Sequence, residues 1–400
     1  MRSLLYICTG LPKEEVKKIQ DKQNDFSSNA LVPPSVFHTN IIEGISENYD
    51  KVDVIACAPI SRQHYDILYY KESQYRIDNV TYHLPGFLNI RIFKQLTVML
   101  KVFILIMKWK DTHKNDLSNI VIDGSFFTGL LPLYFSELIK KFNCCAIIVD
   151  LYEYMDPTLK GNKKDIVKKM YRKLLKIIDS YVFVTDYLEK LLNFYNKKYV
   201  LMEGLVDKSL IFQNNEKNIG NFCLYAGGLH EIYGIKNLVD AFEELDTEME
   251  LHLYGNGELI EYIKNLEKKD SRIKYKGIVS HEKLVEIERH SRFLINPRPV
   301  SGILDTRYNF PSKLMEYMQS GRPVITTKLY GIPNCYDDKM IFFENDDKLG
   351  IKLGLLKMMN YSDDELIFIG DRAKNFVNNC KTNEIFGKKI FHLMNNDDNL

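Results

Sequence analysis

Short apolar, β-rich runs alternate with longer amphipathic stretches along almost the whole chain, and this rhythm constrains the fold more than any other feature. Residues 4–8, 52–58, 120–123, 146–150 and 181–185 read as strands, with helical periodicity over 128–141, 163–178 and 186–196. Strands that alternate with helices build a parallel sheet covered on both faces. At 205–221 the pattern lapses into polar, aperiodic sequence, Asp207-Lys208-Ser209 and 213–220, which suits a connector. The alternation then restarts, with strands at 222–226, 250–254, 273–275, 293–296 and 324–327 and helices at 235–246, 257–268, 281–290 and 312–320. The chain therefore reads as α/β, with two Rossmann-like domains over 1–205 and 206–379.

Composition narrows the function classes. The chain has 54 basic and 53 acidic residues, a net charge of +1, without the domain-wide basic footprint of a nucleic-acid binder. Its seven cysteines contain no CxxC; the adjacent pair Cys144-Cys145 fits neither a zinc site nor a disulfide framework, so a reducing cytoplasm is expected. The apolar run in the first ten residues is too short for a signal sequence and reads as a buried strand. The apolar stretch 96–109 is broken by Lys101 and Lys108, short of the ~20 residues that span a bilayer.

Ligands of open α/β sheets lie beyond the carboxyl ends of the strands, so the turns that follow strands carry the chemistry. After 224–226 comes Gly227-Gly228-Leu229, then Tyr233-Gly234-Ile235 opening a helix. Such a turn either brings backbone amides to a phosphate or is simply tight. Gly255-Asn256-Gly257-Glu258 repeats the arrangement one strand later. The segment 307–325 predicts a helix bounded by Pro311 and Gly321, with Lys313 and Glu316 three residues apart on one face. Lysine offers a point charge to a diphosphate and a carboxylate offers acceptors to a ribose diol. Spacing alone favours a solvated ion pair. In the first half, Cys8-Thr9-Gly10-Leu11-Pro12 follows strand one, and Asp123 and Asp150 end strands, where a carboxylate can meet an acceptor hydroxyl or cap a helix.

The order of these pieces resembles a retaining GT-B glycosyltransferase of the family 4 type. Residues 201–207 resemble the turn into the donor domain, Tyr225-Ala-Gly-Gly-Leu-His-Glu-Ile-Tyr-Gly-Ile235 its first loop, and 311–325 its nucleotide-binding helix. Phe-Pro-Ser-Lys-Leu-Met-Glu-Tyr-Met followed by Ser-Gly-Arg-Pro-Val-Ile is similar to the subgroup of bacterial capsule, O-antigen and exopolysaccharide assembly. The resemblance implies two domains facing a cleft and a last helix, at about 380–400, that returns to the first. It places ribose binding on Glu316 and donor-phosphate contact on Gly10. Tyr308 stands where the family has its first motif Glu; Gly228 and Tyr233 stand where an Arg and a Lys neutralise the diphosphate. Lys313, Arg307 and Arg298, with the amides of Gly227 and Gly228, are the groups expected to replace them. Val149 precedes Asp150 where many relatives have a His-Asp pair, which points Asp150 toward sugar binding. The expected catalytic set is Asp150, Lys313 and Arg298. The expected donor contacts are Gly10, Gly227, Gly228, Gly255, Ile278, Arg307, Tyr308, Ser312, Lys313 and Glu316.

The expected reaction moves a sugar from a UDP- or GDP-linked donor to a saccharide or lipid-linked saccharide in bacterial surface polysaccharide synthesis. It calls for no cofactor, and without an Asp-x-Asp pair the sequence offers no obvious metal ligands. Two other readings stay open: a silent GT-B partner subunit, and a nucleotide-sugar 2-epimerase. Residues 160–176 carry eight basic residues against one acidic, a basic amphipathic helix suited to an anionic membrane surface or to plain solvation. The stretch 94–110, with Phe93, Phe103, Ile104 and Trp109, could extend that surface, although its apolar residues are expected in the core. The expected location is cytoplasmic, peripheral on the inner face of the cell membrane.

Overall fold

A computed structural model of the chain describes residues 1–21, 31–62, 64–151, 161–210, 219–300 and 305–395. The backbone forms two compact units: Met1–Met202 joined by the segment from Asn383 onward, and Glu203–Thr382.

The first unit is built on strands β1 Arg2–Cys8, β2 Lys51–Ala56, β3 Tyr69–Tyr70, β4 Ser73–Ile77, β5 Val80–Leu84, β6 Phe87–Leu88, β7 Leu117–Asp123, β8 Asn143–Ile148, β9 Ser180–Phe183 and β10 Lys198–Leu201. Its main sheet has the order β10-β9-β8-β7-β1-β2-β5-β4, parallel except for β4, which turns back on β5; β3 and β6 pair separately. The central strands are buried on both faces, which is why β1 reads as an apolar run from Leu4 and β2 as one broken only by the buried Asp53. The order reverses between β1 and β7, where connections leave in opposite directions and open a crevice above the carboxyl ends.

The helices of this unit are α1 Lys13–Gln20, α2 Val32–Ser46, α3 Arg91–Thr112, α4 Phe127–Ile139, α5 Asn162–Leu174 and α6 Asp186–Leu192. Helix α3 corrects the expectation for 94–110 in part. Val98, Val102, Ile106 and Trp109 face the core, and the indole Nε1 donates to Asp53 at 3.1 Å. Phe93 and Ile104 are exposed, because α3 is apolar on two faces and only one meets the sheet.

The second unit has strands β11 Phe222–Ala226, β12 Glu250–Tyr254, β13 Ile273–Gly277, β14 Phe293–Asn296, β15 Val324–Thr326 and β16 Ile341–Phe342, all parallel in the order β13-β12-β11-β14-β15-β16. This is the doubly wound arrangement, with its switch point between β11 and β14. Its helices are α7 Ile235–Glu243, α8 Ile260–Glu267, α9 His281–His290, α10 Lys313–Gln319, α11 Lys348–Asn360 and α12 Asp363–Cys380. One core lies under α7, α8 and α11, and a second under α10 and α12, on opposite faces of the sheet.

After α12 the chain re-enters the first unit as α13 Asn383–Asn395. Gly387 of α13 and Gly44 of α2 meet where a Cβ on the former would lie 1.9 Å from the latter's carbonyl oxygen, so only paired glycines allow this crossing. Asn395 and Met394 then bond Asn119 and Asn143 at the ends of β7 and β8.

Candidate functional site

In the second unit the turns after β11, β12 and β13 are laced edge to edge. The Gly227 amide donates to the Tyr254 carbonyl at 3.0 Å, the Gly255 amide to Gly277 at 2.9 Å and the Leu229 amide to Asn256 at 2.9 Å. Gly255 sits at φ +134°, and a Cβ there would lie 1.8 Å from the Gly227 carbonyl oxygen. The Gly227 and Gly255 amides are therefore committed to the protein, which corrects their expected use as phosphate donors. Among the described residues the Gly228 amide has no acceptor, and the turn is pinned from the other side by the Tyr225 hydroxyl donating to the Gly228 carbonyl at 2.9 Å.

Arg298 reaches the same turn from across the switch point. It follows β14, and its guanidinium lies 5.7 Å from the centre of the Tyr233 ring. The two loops touch at Gly234, φ +78°, where a Cβ would come within 2.1 Å of the Pro297 carbonyl oxygen. The cation that the β11 loop lacks in sequence thus arrives from the β14 loop.

Helix α10 docks beside this turn through the buried Tyr317, whose hydroxyl accepts from the Ala226 amide at 2.8 Å and meets the Ala226 carbonyl at 3.2 Å. One residue earlier Glu316 is held from two sides. Lys313 Nζ donates to its Oε1 at 2.6 Å, and His281 Nε2, from the first turn of α9, lies 3.0 Å from its Oε2. Behind them Glu288 is fully buried, with Oε1 3.8 Å from Lys313 Nζ. The pair is therefore part of a four-residue cluster and partly buried, not the solvated ion pair that spacing favours.

Burial pushes the Glu316 carboxyl up, but His281 and Lys313 overcome it and hold the group down at about 2. Burial pulls Lys313 down, and the Glu316 and Glu288 carboxyls more than offset that. The His281 imidazole is raised by its bond to Glu316. Glu288 moves the other way: burial, then the neighbouring Glu316 charge, push it well above the usual carboxylate range. The cluster therefore presents one firmly ionised carboxylate, with the Lys313 ammonium on one oxygen and the His281 ring nitrogen on the other.

The other expected donor residues spread around this centre. Arg307 is exposed and forms a fork with Asp305, its Nε at 2.9 Å and its Nη2 at 2.6 Å, with its guanidinium 5.4 Å from the Tyr308 ring. Ser312 is exposed ahead of α10 and makes no cap to it, and Ile278 is exposed just past β13. Residues 301–304, between Arg298 and Arg307, lie outside the described residues.

In the first unit Gly10 lies beyond β1 against His38, which leaves a Cβ there 2.4 Å from the His38 side chain. His38, on α2, bridges the switch point: Nε2 lies 3.2 Å from Asp123 Oδ2 and Nδ1 2.9 Å from the Tyr6 hydroxyl. Asp123 also accepts from the Ser125 amide at 3.0 Å and from the Ser125 hydroxyl. Burial raises the Asp123 carboxyl, but His38 and Ser125 bring it below its ordinary value. Asp150 is placed differently. Strand β8 ends at Ile148, two residues short of the expected end, and Asp150 is exposed beyond it. Asp123 is a fully engaged anchor, held by His38 and Ser125.

Sequence reasoning missed His281, Glu288 and His38. A histidine opening a helix behind its Ser280 cap reads as surface, and a glutamate in the charged run 282–289 reads as solvated. Among the described residues no three His, Cys, Asp or Glu side chains gather to hold a metal ion.

Residues 220–360 match the family model described as glycosyl transferases group 1. No curated protein matches the chain. A sucrose-phosphate synthase from Thermosynechococcus elongatus superposes with a TM-score of 0.69 at 13% identity, over 99% of each chain. HepE of Anabaena, solved with UDP, gives 0.61 at 12% identity over 99% of this chain and 100% of its own. The lipopolysaccharide outer core galactosyltransferase WaaB gives 0.59 at 14% identity over 99% of each. At these identities the likenesses establish the fold.

Proposed function

We propose, for a chain that is a glycosyltransferase of the GT-B fold, that its second unit holds a nucleotide-diphosphate sugar and its first unit takes the acceptor. The observation that carries this reading is the Glu316 cluster, anchored through Tyr317 to the end of β11 at the switch point. Glu316 stays ionised, so both its oxygens accept, which is what a ribose diol requires. Lys313, Arg298 and the Gly228 amide supply positive potential for the diphosphate.

As the bond from the anomeric carbon to the diphosphate oxygen breaks, cationic character develops on the sugar and negative charge on the leaving oxygen. Fixed cations and amides aimed at that oxygen lower the barrier because they need no reorganisation at the moment of reaction. Asp150 is assigned to the acceptor hydroxyl or the reacting sugar. The reaction is read as retaining, with Tyr308 in the place of the family's first carboxylate. The acceptor is a saccharide or lipid-linked saccharide of a bacterial surface polysaccharide, and the protein works on the cytoplasmic face of the membrane, with the basic face of α5 toward anionic lipid.

Purified protein incubated with UDP- or GDP-sugars and a membrane extract is expected to release free nucleotide, and Glu316→Ala is expected to abolish the release. Absence of release from the wild type would favour a silent partner subunit. Conversion of the donor sugar without any acceptor would mark an epimerase.

A further inference from the structure

Helix α3 leaves an apolar face uncovered. Phe93, Leu96 and Leu100 are 60, 60 and 61% exposed, and Ile104 continues the line. The spacing places all four on one side of a helix, opposite the buried Val98, Val102, Ile106 and Trp109. A helix that is apolar all round is normally enclosed on every side. The neighbouring α4, which packs against α3, exposes Phe135, Leu138 and Ile139 as well. Apolar side chains left exposed on two packed helices mark a place of contact with another phase or molecule.

The charges around it select the occupant. No charged side chain interrupts the line on α3 from Phe93 through Leu96 and Leu100 to Ile104. Its surroundings are cationic: Lys108 farther along α3, Lys141 just past α4, and the exposed Lys168, Lys169, Arg172 and Lys173 of α5, which touches α4. Asp111 and Asp165 are the exposed acids on these helices, and the exposed Glu72 beside α3 is paired with Lys101. Apolar groups beside a basic flank form the amphipathic pattern of a surface lying in the interface of an anionic bilayer. A self-complementary pairing of two copies about this face would instead bring rim against rim, cation against cation. Among the described residues no helix is long and apolar enough to cross the membrane, so the contact is with its surface.

We propose that the α3–α4 face inserts its apolar side chains into the interfacial layer of an anionic membrane, with α5 as its electrostatic flank. The inference rests on the lipid-linked acceptor proposed above, which it supplies with a fixed approach from the bilayer.

The test is flotation of the full chain with vesicles of phosphatidylglycerol and phosphatidylcholine in equal parts, alongside vesicles of phosphatidylcholine alone. The wild type is expected to float with the anionic vesicles and far less with the neutral ones. Leu96→Gln with Leu100→Gln is expected to weaken partitioning by more than roughly tenfold, since two large apolar groups no longer leave water. Its melting temperature is expected to stay unchanged, because both positions are exposed. Lys168→Glu with Arg172→Glu is expected to weaken binding at low salt and flatten its salt dependence. Flotation of the Leu96/Leu100 variant equal to the wild type would overturn the proposal, as would a wild-type dimer that this variant dissociates. The shift in melting temperature caused by UDP separates this inference from the transferase reading. A wild type that responds to UDP but does not float refutes the docking face alone; one that floats without responding to UDP supports the face and removes the donor site.

Discussion

The guanidinium of Arg298 stands 5.7 Å from the ring of Tyr233, the residue that occupies the place of the lysine in the matched loop pattern. Two changes are coupled in this contact. In the proposed donor site the β11 loop carries an aromatic ring where the resemblance expects a cation, and the β14 loop rests a guanidinium on that ring. A guanidinium over an aromatic face gains about 0.5–2 kcal/mol and keeps its charge. On this reading the positive charge beside the Gly228 turn comes from the loop after β14.

Removing that cation should cost the chemical step more than it costs the fold. Arg298→Ala is expected to lower kcat for nucleotide release by roughly 10²–10³, the usual effect of deleting one stabilising group from a developing anion. Adding Tyr233→Lys to this variant is expected to recover part of the loss, since the charge returns to the same turn from the other loop. Steady-state release with a fixed acceptor measures both; an undiminished Arg298→Ala rate would remove Arg298 from the diphosphate.

Glu316 makes a different contribution, felt in ground-state binding. Glu316→Gln keeps the shape and one acceptor oxygen but loses the charge that His281 and Lys313 stabilise. Nucleoside diphosphate affinity is expected to fall by about 1.5–3 kcal/mol, the range for hydrogen bonds to charged groups. Titration calorimetry with UDP and GDP reads this directly, and the nucleotide that wild type binds tighter identifies the base.

The parts of this architecture that are local in sequence are the parts that sequence displays. Strands buried on both faces are largely apolar, so β1, β11 and β14 are visible as runs and β2 as one broken only by Asp53. Lys313 and Glu316 face one way because helical geometry places residues three apart together. The antiparallel β4, half exposed and bearing Gln74 and Arg76, lacks that apolar signature. His281 meets Glu316, and His38 meets Asp123, only because the topology brings distant segments to one sheet end. The commitment of the Gly227 amide to Tyr254 is likewise a pairing between strands, invisible in the glycine turn itself.

Glu288 gives the second unit a pH dependence opposite to that of an ordinary carboxylate. Its folded value lies above the unfolded one of about 4.3. The native state therefore holds more protons in that window, and stability is full below the unfolded value and lost as pH rises toward the folded one. Glu288→Gln is expected to remove this decline, leaving the variant at or above wild-type stability on the alkaline side. Urea unfolding across pH checks it; parallel profiles for the two proteins would show that Glu288 titrates normally.

The buried link between His38 and Asp123 should carry stability of the opposite sign. Asp123 is depressed in the folded state by His38 and Ser125 against the effect of its burial, so its contribution is present above the unfolded value of about 3.9 and lost as pH falls through the folded one. His38→Ala removes one partner, leaves Asp123 with Ser125 alone, and strands the Tyr6 hydroxyl at the base of the Gly10 turn. Breaking a buried pair from one side costs about 3–5 kcal/mol, and the loss is expected in that range near neutral pH. Because Ser125 still donates to Asp123, part of the acid-side decline should survive in the variant, and the gap between the two proteins should narrow as pH falls below the unfolded value of about 3.9. Equal destabilisation at both ends of that range would mean that His38 acts only by filling space against Gly10.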